Sequence, residues 1–201
     1  MSGDVHVRFC ERLEGRFLRA TRHVCAFQFR HDAERFYRAL PKRLARFGLQ
    51  VAPDKTRILR FSRFHPGLQR RFAFLGFELY WSRDRRGDLR VMKRTARKKL
   101  QQAKRRMTIW IRANRHVPGR QFIKELNRKL VGHYNYFGLR SNEKSVNSFY
   151  TWTIACAFKW LNRRGGKRRS FNWPMFNVAL KKLGVALPRI TEKRREHVVF
   201  A

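Results

Sequence analysis

The apolar positions of this chain change period several times, and each change predicts an element. His23-Val24-Cys25-Ala26-Phe27-Gln28-Phe29 is a short apolar run consistent with a buried strand, whereas residues 1 to 20 before it show no clean period. From Asp32 the spacing becomes helical: Ala33, Phe36, Tyr37, Leu40, Leu44 and Phe47 share a face, with Asp32 placed to cap the start and Gly48 to follow the end. Pro41 has no backbone N–H to donate, so a kink or two abutting helices is expected there. Leu49-Gln50-Val51-Ala52 leads through Pro53-Asp54 into a second strand over residues 55–61, followed by a basic loop.

Residues 72–93 alternate as a strand should, turn at Arg85-Arg86-Gly87-Asp88 and return through Leu89-Arg90-Val91-Met92, which predicts a β-hairpin. Three long helical patterns follow. In the first, Ala96, Leu100, Ala103, Met107, Ile111 and Asn114 lie on one side, with Arg94, Lys98, Arg105 and Arg112 opposite. The second runs from Pro118-Gly119 through Phe122, Ile123, Leu126, Leu130, Tyr134 and Phe137 to Gly138; the third runs from Ser141-Asn142 through Val146, Phe149, Tyr150, Thr153, Ala157 and Leu161 to Gly165-Gly166. Short Pro/Gly-marked connections predict a small antiparallel bundle. A basic loop, Gly166-Lys167-Arg168-Arg169, precedes a last short helix with Asn172 as its cap, Pro174 in its first turn and Gly184 past its end. Beyond Pro188 a charged, frayed tail is expected. The predicted class is α+β.

Charge changes the picture most. The 201 residues carry 49 Lys+Arg against 13 Asp+Glu, a formal net charge of +36, while 43% hydrophobic content is enough for a real core. A folded domain with that excess repels itself and belongs with a polyanion. Between Leu89 and Thr191 only Glu125 and Glu143 are acidic, so partner binding is expected in that half. A membrane surface is the competing polyanion, but no apolar run approaches the roughly 18 residues of a spanning helix. With no signal-peptide-like apolar region at the N-terminus, a cytoplasmic location is expected. Cys10, Cys25 and Cys156 are odd in number and far apart, which fits neither a disulfide framework nor a zinc site.

The candidate contacts follow from the charge. Arg94, Lys98, Arg105 and Arg112 form a one-signed row with no acidic residue at pairing distance along a helix, as expected of a surface that tracks phosphates. Lys167, Arg168 and Arg169 extend the same logic. Gly76, inside a strand pattern, marks close approach of another backbone. His133 has no neighbouring carboxylate to make it a general base and no Cys/His spacing to make it a metal ligand, so it reads as structural. Trp81, Trp110, Trp152, Trp160 and Trp173 are interleaved with basic residues and are divided between core burial and stacking on unpaired bases.

Several short motifs occur in a telling order: Val24-Cys25-Ala26-Phe27, Asp32-Ala33-Glu34-Arg35-Phe36, Phe47-Gly48-Leu49, Lys55-Thr56, then Phe74-Leu75-Gly76-Phe77 with Trp81, and later Leu126-Asn127 with Gly132-His133-Tyr134. Over residues 24 to 190 this ordered set resembles the C-terminal part of group II intron reverse transcriptases, also called maturases. The resemblance implies a palm remnant over 21–71 and a primer-grip-like hairpin over 72–93. A helical thumb and maturase-specific region covers 94–165, followed by a basic loop, short helix and tail over 166–201; residues 1–20 stay unassigned. It also implies that Lys55 matches the palm lysine near the triphosphate, that Phe74, Leu75, Gly76 and Phe77 match the primer grip, and that Asn127, Gly132, His133 and Tyr134 match the maturase-specific motif.

The expected partner is structured group II intron RNA, whose folding and splicing the protein would assist while the RNA supplies the catalysis. Where the family has Tyr-Ala-Asp-Asp before the apolar strand, this chain has Arg19-Ala20-Thr21-Arg22-His23. Two carboxylates are therefore missing from the positions that hold divalent ions during nucleotidyl transfer. A truncated reverse transcriptase without polymerase activity is expected, with no cofactor of its own. Mg²⁺ would enter only if a separately encoded finger-palm fragment completed the site, making the chain one piece of a split RNA-directed DNA polymerase. A generic basic RNA-binding protein would explain the charge but not the ordered motifs.

Overall fold

The computed structural model describes residues 6–10, 13–14, 23–53, 56–62, 71–163 and 170–192, and in them the chain is α+β, with eight strands and five helices. They divide into two compact units. One comprises the described residues up to Leu75 together with Leu79–Val91; the other comprises Gly76–Glu78 and the residues from Met92 onward. The segment expected as one hairpin, 72–93, is thus shared between them.

In the first unit the central strand is one the sequence pattern does not reveal. Strand β1 (His6–Cys10) lies between β3 (His23–Phe27) and β5 (Thr56–Arg60) and is antiparallel to both, with His6 opposite Phe27 and Arg60, and Cys10 opposite His23 and Thr56. Two short strands, β2 (Leu13–Glu14) and β4 (Gln50–Val51), pair separately. Helix α1 (Arg30–Ala45) packs on the three-stranded sheet through the fully buried Ala33 and through Phe36, whose ring lies 5.2 Å from that of Phe27. The helix starts two residues before Asp32: Phe29 occupies the N-cap position without a side-chain bond, and Asp32 sits in the first turn. There its negative charge lies near the positive end of the helix dipole, which favours it without a capping bond. Pro41 lies within a single continuous helix rather than between two.

Strands β6 (Arg71–Phe74), β7 (Phe77–Arg83) and β8 (Leu89–Thr95) form a three-stranded sheet in that order. The expected turn between β7 and β8 is present: Asp84 accepts from the backbone N–H of Arg86 and Asp88, and Gly87 has φ +89°. Phe74-Leu75-Gly76-Phe77, however, is a second turn rather than strand interior. Leu75 and Gly76 both have positive φ, 48° and 81°, as a two-residue primed hairpin turn requires. Gly76 is therefore explained by backbone conformation; a Cβ there would meet only ordinary contacts at 3.7 Å and beyond. Phe61 and Phe72 form this unit's small core edge to face, with Trp81 stacked on Phe61 and donating its indole N–H to the Phe61 carbonyl at 3.4 Å.

The second unit is helical. Helices α2 (Arg97–Asn114), α3 (Gly119–Phe137) and α4 (Glu143–Leu161) occupy the predicted spans, joined by short turns. In α5 (Trp173–Lys182) the Asn172 side chain accepts from Met175 N–H, as its cap position predicted. One continuous core includes Met107, Ile111, Phe122, Leu126, Leu130, Tyr134, Val146, Phe149, Ala157, Phe176 and Leu180. The C-terminal segment is not frayed at Pro188: Thr191 and Glu192 donate their N–H groups to the Gly138 carbonyl, and Glu192 bridges Lys93 Nζ at 3.0 Å and Arg140 N–H at 2.7 Å. Burial raises the Glu192 pKa, but the Arg140 N–H and the Lys93 ammonium outweigh it and hold the carboxyl below its usual range. Gly138 is fixed by space, because a Cβ would collide with the carbonyl oxygens of Tyr134 and Arg189.

The difference between the cores carries a prediction. Among the described residues, Phe61 and Phe72 are the buried residues of one cluster, against fourteen in the cluster of the helical unit, so less apolar burial is described in the first unit to resist opening. Limited trypsin digestion should cut before Arg71 well before it cuts within residues 97–161. Equal resistance of the two regions would show that the small cluster and sheet hold as firmly as the helical core.

Candidate nucleic-acid interface

The basic half of the chain is organised by two helices running the same way. Lys104 lies over Trp152, Thr108 meets Cys156 and Arg112 lies over Trp160; each pair is 48 positions apart, so α2 and α4 pack parallel at constant register. Helix α3, between them in sequence, carries the chain back, so the two can run the same way. Thr108 is the hub of the seam. Its hydroxyl donates to the Lys104 carbonyl at 2.9 Å and accepts from Trp152 Nε1–H at 3.3 Å and from the Cys156 thiol at 3.5 Å.

Along the outer side of this seam lie Lys98, Arg105 and Arg112, all exposed and seven residues apart. Two helical turns separate successive members, so they share one stripe. Helix α2 contains no acidic residue, and no carboxylate pairs with these three among the described residues. Arg94 does not belong to the row. It sits on β8, three residues before the start of α2, and its Nε binds Glu78 at 2.6 Å, so the expectation of an unpaired helical arginine is corrected. At the C-terminal ends of the two helices, Trp160 gathers four cations: Arg112, Arg115, Arg163 and Lys159 lie 5.2, 5.7, 5.6 and 6.0 Å from its ring centre. Cation–π attraction and the negative ends of both helices hold them there despite mutual repulsion.

The other expected residues fall elsewhere. Lys55 and the loop residues Lys167, Arg168 and Arg169 lie outside the described residues. Phe74 and Leu75 end one unit's part of the turn, with Leu75 44% exposed, while Phe77 stacks on Tyr136 at 5.9 Å and packs on Phe137 at 5.3 Å. Asn127 and Tyr134 are clamps: Asn127 donates to the Gly184 carbonyl and accepts from Ala186 N–H, both at 2.8 Å, and Tyr134 Oη donates to the Ala186 carbonyl. Burial, and after it the nearby Tyr150, pushes the Tyr134 hydroxyl pKa upward, keeping it a neutral donor. His133 stacks on Phe149 at 3.8 Å, and its inaccessible Nε2 has no partner, so it is structural but not satisfied. Gly132 is exposed, with open space around it.

No protein-family model matches the chain, and none of the curated proteins is significantly similar to it.

Among the described residues no group of three His, Cys, Asp or Glu side chains is placed to hold a metal, and no helix is long and apolar enough to cross a membrane. The sequence signal that was available but not used lies in Arg115, Lys159 and Arg163. They become a cluster only once α2 and α4 are set parallel.

Proposed function

We propose that this chain is a group II intron maturase-type RNA-binding protein that grips structured intron RNA and assists its folding and splicing without polymerising nucleotides. The observation that carries the reading is the one-signed stripe of Lys98, Arg105 and Arg112 on a helix without acidic residues. The ordered family motifs in the sequence support the choice of RNA. In this reading the protein stabilises the folded RNA by neutralising phosphates that the fold crowds together. Neither Thr21 nor Arg22 offers a carboxylate where the family holds divalent ions, so no step here runs through a metal.

The test is the salt dependence of binding. Each phosphate neutralised releases condensed counterions, with a log-log slope of roughly 0.7 to 0.9 per contact. Lys98→Gln, Arg105→Gln and Arg112→Gln combined should leave the fold intact and flatten the slope for intron RNA by roughly 2. Arg94→Gln should change it less, because Glu78 already neutralises Arg94. An unchanged slope in a folded triple variant would move the interface away from this helix and toward Lys167, Arg168 and Arg169. Equal affinity for intron RNA and an unrelated structured RNA would instead favour a generic RNA-binding protein.

A second measurement addresses the enzyme alternative. The purified chain is expected to extend no primer on an RNA template with Mg²⁺ and nucleotides. Extension by the chain alone would overturn the non-polymerase reading. Extension only with a separately encoded finger-palm fragment would establish the split polymerase.

A further inference from the structure

We infer that the α2–α4 seam is a track for single-stranded RNA, with Trp152 as the stacking platform for an unpaired base and the cations around Trp160 as the clamp for a phosphate further along the strand. This rests on the RNA-binding reading and names the form of RNA that the site takes.

Trp152 is unusual for an exposed aromatic. It keeps 48% of its surface open, yet its orientation is fixed from two sides. Nε1–H is bound by the Thr108 hydroxyl at 3.3 Å, and the Lys104 ammonium lies 5.3 Å from the ring centre while bonded to Ser148 Oγ at 2.8 Å. A side chain already held in one orientation loses little entropy when a ligand stacks on it. Trp110 and Trp81 differ: each is half-buried and stacked on a phenylalanine of its own core.

Trp160 lies eight residues further along α4, about 12 Å at 1.5 Å per residue. Its four cations have no carboxylate partner among the described residues, so they repel one another. A phosphate placed among them would relieve that repulsion. Alternation of a flat aromatic platform with a cationic clamp is the pattern by which proteins hold unpaired strands, whose bases are free to leave a stack. A duplex offers phosphates to the clamp but no free base face to Trp152. An acidic protein partner would use the cations and leave the indole face unexplained.

The experiment uses the full chain and two probes, a short fluorescein-labelled oligouridylate and an RNA duplex of equal phosphate number, titrated across a range of salt. Trp152→Ala should weaken oligouridylate binding by about five- to a hundred-fold, the range of one base stack. The salt slope and the duplex affinity should stay unchanged, because stacking releases no counterions. Trp152→Phe should restore most of the affinity. Arg115→Gln with Arg163→Gln should flatten the oligouridylate slope by roughly 1.4. Circular dichroism and the melting temperature establish that each variant is folded, which is why Trp160, packed against the core, is left in place.

If Trp152→Ala binds oligouridylate as tightly as the parent, or if duplex loses affinity equally, the single-strand track is wrong while RNA binding stands. If neither probe binds with a salt-dependent affinity, both readings fall together.

Discussion

Asn142→Ala is expected to destabilise the helical unit by about 3 kcal/mol, more than any surface substitution in the chain. Asn142 is fully buried, and its side chain serves both of its hydrogen-bonding ends. Oδ1 accepts from Thr95 N–H at 2.7 Å; Nδ2 donates to the Phe137 carbonyl at 2.7 Å and to Thr95 Oγ1 at 2.9 Å. It thereby ties the end of β8 to the end of α3, while its own backbone carbonyl accepts from Ser145 and Val146 to begin α4. Alanine would leave the buried Thr95 N–H unpaired, at about 1 to 3 kcal/mol, would take one of two donors from the Phe137 carbonyl, which keeps the Leu139 N–H at 2.8 Å, and would open a small cavity as well.

Two companion variants separate these contributions. Thr95→Val removes only the hydroxyl partner and should cost about 1 kcal/mol. Asn142→Asp keeps the acceptor toward Thr95 but faces a second oxygen toward the Phe137 carbonyl, so it should cost nearly as much as alanine. Urea unfolding of the three variants gives the comparison. A loss below about 1 kcal/mol for Asn142→Ala would mean that water or a backbone shift replaces all three bonds.

The same residue shows where sequence reasoning stopped. The pattern places the start of this helix at Ser141-Asn142, and Asn142 does occupy the N-cap position, but its side chain makes no capping bond and its role as a buried tie is not visible in the spacing. The period identified α3 and α4 because each is a long stripe bounded by Pro, Gly or Asn, and the cap and proline marked the shorter α5; local spacing alone fixes such elements. Strand β1 escaped because five residues, His6–Cys10, become a strand only through partners that are 13 to 54 positions away in sequence, from Cys10 with His23 to His6 with Arg60. Leu75 misled for a different reason. Leucine is a poor residue for φ +48°, so nothing in Phe74-Leu75-Gly76-Phe77 except the glycine signals a turn.

For the candidate interface, Lys98, Arg105 and Arg112 were legible because heptad spacing places them on one stripe whatever the packing. Arg94 was assigned to that stripe because a spacing of four also fits a helix, and only the extension of β8 to Thr95 removes it. The cations around Trp160 needed the 48-residue register of α2 against α4. That register is set by Ile111, Ala157 and their buried neighbours, not by any motif.

Lowering the pH from about 7 to about 5 should destabilise the chain by about 1 to 2 kcal/mol through His133 alone. Burial against Phe149 and Phe137 lowers the pKa of this imidazole to about 4, because Nε2 is sealed from solvent with no acceptor for a second proton. In the unfolded chain the ring titrates near its ordinary value of about 6.5. Between those values the unfolded state binds a proton that the folded state refuses. The stability is therefore fully present above about 6.5 and is lost progressively as the pH falls toward 4. The full span of the shift would give more, but the ring is only half-buried and the loss is discounted accordingly.

His133→Phe retains the stack on Phe149 and removes both the titration and the unpartnered nitrogen, so at neutral pH it should be neutral or mildly stabilising. Every other ionisable side chain is common to the two proteins. The difference between their pH profiles therefore isolates this ring. Parent and variant losing the same stability over that pH range would show that His133 gains a proton acceptor, and that the sealed nitrogen is not what makes the helical unit sensitive to acid.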